Sequence, residues 1–140
     1  MMSGLRRVRK MKASESLFFT IRGLRYHVRT WGDPAAPKIL MLHGWMDVSA
    51  SFQFVVDALR SDWHVLSPDW RGFGLSDWSQ ADCYWYPDYL ADLDALIAKL
   101  HPEKPVNIVG HSMGGNIACL YAGIRPERVA RFINLEGLGM

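Results

Sequence analysis

Apolar residues recur along this chain in two rhythms, and the change from one to the other marks out its elements. Leu17-Phe18-Phe19-Thr20-Ile21 reads as a strand, Arg22-Gly23 as a turn, and Arg25-Tyr26-His27-Val28-Arg29-Thr30 as an alternating second strand, which together predict a hairpin. Gly32-Asp33-Pro34 and Pro37 break the chain, and the continuous apolar run Lys38-Ile39-Leu40-Met41-Leu42 predicts a strand buried on both faces. Phe52, Val55, Val56 and Leu59 keep helical spacing, with Ser49 or Ser51 as candidate caps. Trp63 to Ser67 predicts a strand that ends at Pro68-Asp69, and Gly72, Gly74 and Ser76 a loop. Leu90, Leu93, Ile97 and Leu100 share one face of a helix opened by Pro87. Val106 to Val109 predicts a strand, Asn116 to Ala122 a helix, and Arg131 to Leu135 a last strand. After the hairpin, strands and helices alternate, so the expected fold is α/β: a mostly parallel sheet with helices on both faces.

The candidate chemistry sits between the fifth strand and the helix that follows it. Gly110-His111-Ser112-Met113-Gly114 is a G-x-S-x-G pentapeptide in a strand–turn–helix setting, that of a nucleophile elbow. Glycines are required there because the turn is strained and neighbouring backbone lies close. The turn carries the Ser112 hydroxyl to a helix N-terminus, where free N–H groups favour a developing oxyanion. His43-Gly44-Trp45 and Asp69 fall at the carboxyl ends of other strands, where ligands bind in such sheets.

His43-Gly44-Trp45-Met46-Asp47, Asp69-Trp70-Arg71-Gly72-Phe73-Gly74-Leu75-Ser76 and Gly110-His111-Ser112-Met113-Gly114-Gly115, in that order and each after a strand, make the sequence resemble the α/β-hydrolase fold superfamily, and its serine hydrolase-like branch in wording. The resemblance covers about residues 16 to 140, the N-terminal part of that fold, truncated after about the sixth strand. It implies Ser112 as nucleophile and the backbone N–H groups of Trp45 and Met113 as oxyanion-hole donors. Glu136, just after the sixth strand, is a candidate acid, because a glutamate there serves as the acid in some members. Trp45 and Asp47 are candidate substrate contacts. A serine nucleophile points to acyl transfer on an ester, thioester, amide or similar carbonyl substrate, without a cofactor or metal. The alternative is a non-catalytic binding module of the same fold.

One absence bears on that choice. The superfamily order is nucleophile, acid, histidine. His27, His43, His64, His101 and His111 all precede or adjoin Ser112, and no histidine follows it. His43 is expected to order its loop, and Asp69, Arg71 and Ser76 to brace theirs. Trp45, Trp70, Tyr84, Trp85 and Tyr86 suggest an apolar or aromatic substrate group. The sixth strand, with Phe132, Ile133 and Leu135, is expected to be a bare edge open to self-association.

Charge and cysteine usage add less. The net charge of +2 is concentrated in Arg6, Arg7, Arg9, Lys10 and Lys12, and the rest of the chain is net acidic. Residues 1–15 are expected to form a solvated basic tail rather than a nucleic-acid-binding arm. No run has the length and apolarity of a membrane span or a signal peptide. Cys83 and Cys119 lack metal spacing, and both are expected reduced in a cytoplasmic protein, Cys119 as a buried thiol.

Overall fold

The computed structural model describes residues 10–138. Strand β1 spans Ser14–Ile21 and β2 spans Leu24–Trp31, closed by a two-residue turn. Arg22 and Gly23 both have positive φ (47° and 82°), the twist that suits a tight hairpin. Strands β3 (Lys38–Leu42), β4 (His64–Pro68), β5 (Val106–His111) and β6 (Val129–Leu135) complete one sheet in the order β1-β2-β4-β3-β5-β6. The hairpin joins antiparallel through β2 and β4, whereas β4, β3, β5 and β6 run parallel. This is the mostly parallel α/β sheet expected from the sequence.

Alternation along the strands divides the core in two. Leu40, Leu42, Leu66 and Ile108 face the helices α2 (Tyr86–Leu100) and α3 (Met113–Ile124), with Leu93, Leu96, Ile97 and Ile117 fully buried between them. Ile39, Met41 and Val65 face the opposite way and pack with Phe52 and Val56 of the short helix α1 (Gln53–Ala58). Helices therefore cover both faces, but α1 is brief, and beyond it Ile133 and Leu135 of β6 stay exposed.

Three local expectations are corrected. Neither Ser49 nor Ser51 caps α1; a 3₁₀ turn, Ser49–Phe52, leads into it, and the Asp47 carboxylate accepts from the Val48 N–H at 2.8 Å and from the Ser51 hydroxyl. An acceptor before the turn does what a serine at the helix start would have done. Helix α2 begins at Tyr86, one residue before Pro87, and the Asp88 carboxylate reaches back to the Trp85 N–H at 3.2 Å. Cys119 is exposed, because it lies on the outward face of α3 beside exposed Leu120.

The basic segment assigned to residues 1–15 lies outside the described residues as far as residue 9. The Lys12 N–H donates to Asp57 at 2.8 Å, its Nζ to the Leu59 carbonyl at 3.3 Å, and β1 takes over at Ser14.

Candidate active site

Strand β5 delivers the chain to Ser112 at φ 50° and ψ −119°, and α3 starts at the next residue. That conformation is costly for a residue with a Cβ, on the order of 1–3 kcal/mol. Glycines make it sterically reachable. A Cβ on Gly114 would stand 2.3 Å from the Leu42 carbonyl oxygen, and one on Gly110 2.5 Å from the Gly114 oxygen. The turn is also pinned from β6, since the Ser112 N–H donates to the Leu135 carbonyl at 3.0 Å. Its hydroxyl has no hydrogen-bond partner among the described residues, and Ser112 lines a cavity of about 360 Å³ with Trp45, Tyr84, Trp85, Tyr86, Tyr89, Met113 and Asn116.

The loop after β3 comes up against the elbow. A Cβ on Gly44 would meet the Ser112 Cβ at 3.1 Å, so the backbone leading to Trp45 is in contact with the serine. Met113 is the first residue of α3, where N–H groups have no intrahelical acceptor. Neither the Trp45 nor the Met113 amide has an acceptor among the described residues. The structure therefore brings Ser112, Trp45 and Met113 to one cavity. Trp45 is 60% exposed, its ring edge-on to Phe73 at 5.4 Å.

Asp47 and Glu136 are placed differently. The Asp47 carboxylate turns into the 3₁₀ turn and is not among the cavity-lining side chains. Glu136 is exposed, at φ 60° directly after β6, one residue beyond the Leu135 carbonyl that holds Ser112.

A buried frame supports these loops. The His43 Nδ1–H donates to the Gly44 carbonyl at 2.7 Å, and its Nε2 accepts the Trp70 N–H at 3.0 Å, which fixes a neutral ring. Burial drives the His43 pKa below the usual histidine value, in keeping with that state. Trp70 is wholly buried, its indole N–H donating to the His43 carbonyl at 3.0 Å, so it belongs to the core and not to the aromatic cavity. Asp69 accepts from the Ser49 and Leu75 amides (2.7 and 2.9 Å) and pairs with His27 at 2.7 Å. Burial works to raise the Asp69 carboxyl, but these hydrogen bonds outweigh it and hold its pKa below the ordinary range. Beneath the cavity, Arg71 grips Asp92 of α2 with two bonds of 2.6 and 2.7 Å, and the Tyr26 hydroxyl donates to the same carboxylate at 2.5 Å.

Sequence reasoning missed Tyr89 and Asn116. The signal was available in helical spacing: Tyr89 is one turn after Trp85, and Asn116 one turn after Ser112. The Asn116 amide donates to the Tyr86 hydroxyl at 3.3 Å. Burial raises the Tyr89 hydroxyl to about 12, so it stays protonated. His111 is exposed, with no bond to Ser112.

The fold and this arrangement define an α/β hydrolase, and comparison with known proteins agrees: residues 37–139 match the family model for the alpha/beta hydrolase fold, and the chain belongs to that family. It is similar to a serine hydrolase-like protein of Danio rerio, 36% identical over 112 residues, covering 79% of this chain and 34% of the relative. It is also similar to the 3-hydroxybutyrate-oligomer hydrolase of Cupriavidus necator, 40% identical over 118 residues, covering 83% of this chain and 39% of that protein. A solved hypothetical protein of Pseudomonas aeruginosa PAO1 superposes with a TM-score of 0.83 at 27% identity, covering 90% of this chain and 44% of that one. The chain thus spans between a third and two fifths of the length of these curated relatives. Among the described residues no helix is long and apolar enough to cross a membrane.

Proposed function

We propose that this chain carries the nucleophile half of a serine hydrolase that acts on an ester, thioester, amide or similar carbonyl substrate. The observation that carries this reading is Ser112 itself. It is held at positive φ between β5 and α3 and lines an aromatic cavity together with Trp45 and Met113, whose amides have no acceptor among the described residues. In the proposed reaction Ser112 Oγ adds to the carbonyl carbon and its proton passes to a histidine base. The two amides hold the oxyanion; such donors are worth about 3 kcal/mol each. The leaving group departs with the proton, and water then releases the acyl group. Trp45 serves as a substrate contact, and Glu136 is the candidate acid by its place after β6. Asp47 would reach substrate only by leaving its turn. No cofactor enters this reaction, and the substrate class is a small carbonyl compound.

A second reading is a binding module without catalysis. It is favoured by one observation: no histidine is hydrogen-bonded to the Ser112 hydroxyl among the described residues. We also propose a cytoplasmic location, supported by the two free thiols, and self-association through the exposed residues of β6.

A fluorophosphonate probe applied to the native protein in its source cells separates the two readings. Labelling at Ser112 that disappears in Ser112→Ala supports the hydrolase. A folded native protein that refuses the probe overturns it and leaves the binding module.

A further inference from the structure

A second serine, on the other side of the sheet, touches a histidine that in turn touches an aspartate. Ser16 Oγ lies 2.8 Å from His27 Nε2, and His27 Nδ1 lies 2.7 Å from Asp69 Oδ2. The ring is wholly buried and the aspartate nearly so, whereas Ser16 is exposed on edge strand β1. Asp69 keeps its charge through the Ser49 and Leu75 amides. It therefore fixes the Nδ1–H tautomer, and the lone pair on Nε2 is aimed at the Ser16 hydroxyl. These are the roles of orienter, base and nucleophile in a Ser–His–Asp constellation, which is recognised by geometry and not by sequence position.

We propose that Ser16 is an activated nucleophile, independent of Ser112, that takes the acyl group of small activated carboxylic esters such as aryl esters.

Three further features of the strand fit that role. The two-residue turn makes Ile21 and Leu24 a hydrogen-bonded pair, and strict alternation along the hairpin makes Ser16 and Arg29 a non-bonded one. The Ser16 N–H consequently points out of the sheet edge, free to bond an oxyanion. Arg29 stands directly opposite Ser16. Its Nη1 donates to Ser14 Oγ at 3.0 Å, while its buried Nε has no partner, so the residue opposite Ser16 carries an unused donor. Phe18, two residues along and on the same face, is 46% exposed and carries Arg25 over its ring at 4.9 Å, a surface for an aryl leaving group. Among the described residues no strand pairs with this edge, because β1 and β6 are the two ends of the sheet.

The step balances without an outside reagent other than water. Ser16 Oγ bonds to the carbonyl carbon as its proton moves to His27 Nε2. The carbon–aryloxide bond breaks and the aryloxide takes that proton. Water adds next, gives a proton to Nε2, and the acid leaves as Ser16 recovers its hydrogen.

The test is brief exposure of the protein to 4-nitrophenyl acetate, followed by digestion and tandem mass spectrometry. Ser14 is the internal control: it is two residues away on the same strand face and bonded to Arg29 instead of a histidine. Ser16 is expected to be acetylated at least tenfold faster than Ser14, and His27→Gln to reduce Ser16 to the rate of Ser14. Equal rates at Ser14 and Ser16 in the unmodified protein overturn the proposal, and that comparison holds even if the His27 variant does not fold. Ser112 lies on a separate peptide, so its acetylation or silence is read independently, and either serine can fail without the other.

Discussion

Asp92 offers the sharpest test of the frame beneath the cavity. It is wholly buried on α2 and accepts from Arg71 twice, from Tyr26, and from Arg22 at 3.0 Å. The Arg71 side chain is only 5% exposed, so it has no route to water if the carboxylate goes. Asp92→Leu leaves that buried guanidinium without its two short bonds, with only the Cys83 carbonyl at 2.9 Å and the Asp88 carboxylate at 3.7 Å beside it, which costs on the order of 3–5 kcal/mol. For a chain of this size that lowers the melting temperature by roughly 12–20 °C, at about 4 °C per kcal/mol. It is also a large share of a total stability of about 5–15 kcal/mol. The double variant Asp92→Leu/Arg71→Met removes both charges and leaves apolar side chains of similar volume. It should recover at least about 2 kcal/mol relative to the sum of the single changes, because a buried pair is often replaced by apolar groups at little net cost. Urea unfolding followed by tryptophan fluorescence measures all four corners of the cycle. If Asp92→Leu costs under about 1 kcal/mol, or if the two changes simply add, the pair is not the buried, coupled unit described above.

Other consequences can be checked in the same way. Ser112→Gly should stabilise the protein by about 1–2 kcal/mol, since glycine adopts the elbow's positive φ without strain, whereas Ser112→Ala should not; thermal melts compare them. Gly114→Ala places a methyl group 2.3 Å from the Leu42 carbonyl and should cost about 3 kcal/mol or prevent folding, seen as loss of the cooperative transition. His43, His64 and His101 all have folded pKa values pushed down, chiefly by burial. Their contribution is fully present above the unfolded value of about 6.5 and is lost as pH falls through the folded values. The urea midpoint should therefore drop between pH 7 and pH 5, and a flat profile would sink this reading. Asp69 adds a second fall below about pH 4, which Asp69→Asn should remove. Ile133→Lys should shift any dimer toward monomer in sedimentation, because it puts a charge on the exposed β6 strand.

What could be read from the sequence was whatever depends on local spacing. The apolar run Ile39–Leu42 and the G-x-S-x-G turn behind Val106–Val109 place the sheet centre and the elbow, because burial on both faces and a strained serine each leave a local signature. Long-range polar pairing leaves none. Nothing in the spacing of Ser16, His27 and Asp69 indicates that they touch; antiparallel pairing across the hairpin and the turn after β4 bring them together. Trp70 looked like a cavity aromatic because it adjoins the loop motif, but its indole N–H has a buried acceptor in the His43 carbonyl. Cys119 looked buried because its neighbours are small and apolar. Burial of that side of α3 needs a neighbouring element, and the described residues supply none there.

The sheet order also bears on how the chain is made. Strand β3 lies between β4 and β5, so its second ladder cannot form until Val106 and the residues after it exist. At about 5–20 residues per second, a ribosome takes roughly 3–13 s to go from Leu42 to Val106. For that interval Ile39-Leu40-Met41-Leu42 has a finished partner on at most one side, and its other row of amides and carbonyls is open to any strand nearby. The hairpin β1–β2, which zips outward from the Ile21–Leu24 pair at its turn to Ser14 and Trp31, can close within microseconds. The nascent protein is therefore ready early at its β1 edge and exposed longest at its centre, where a chaperone that shields apolar strands would have most to protect.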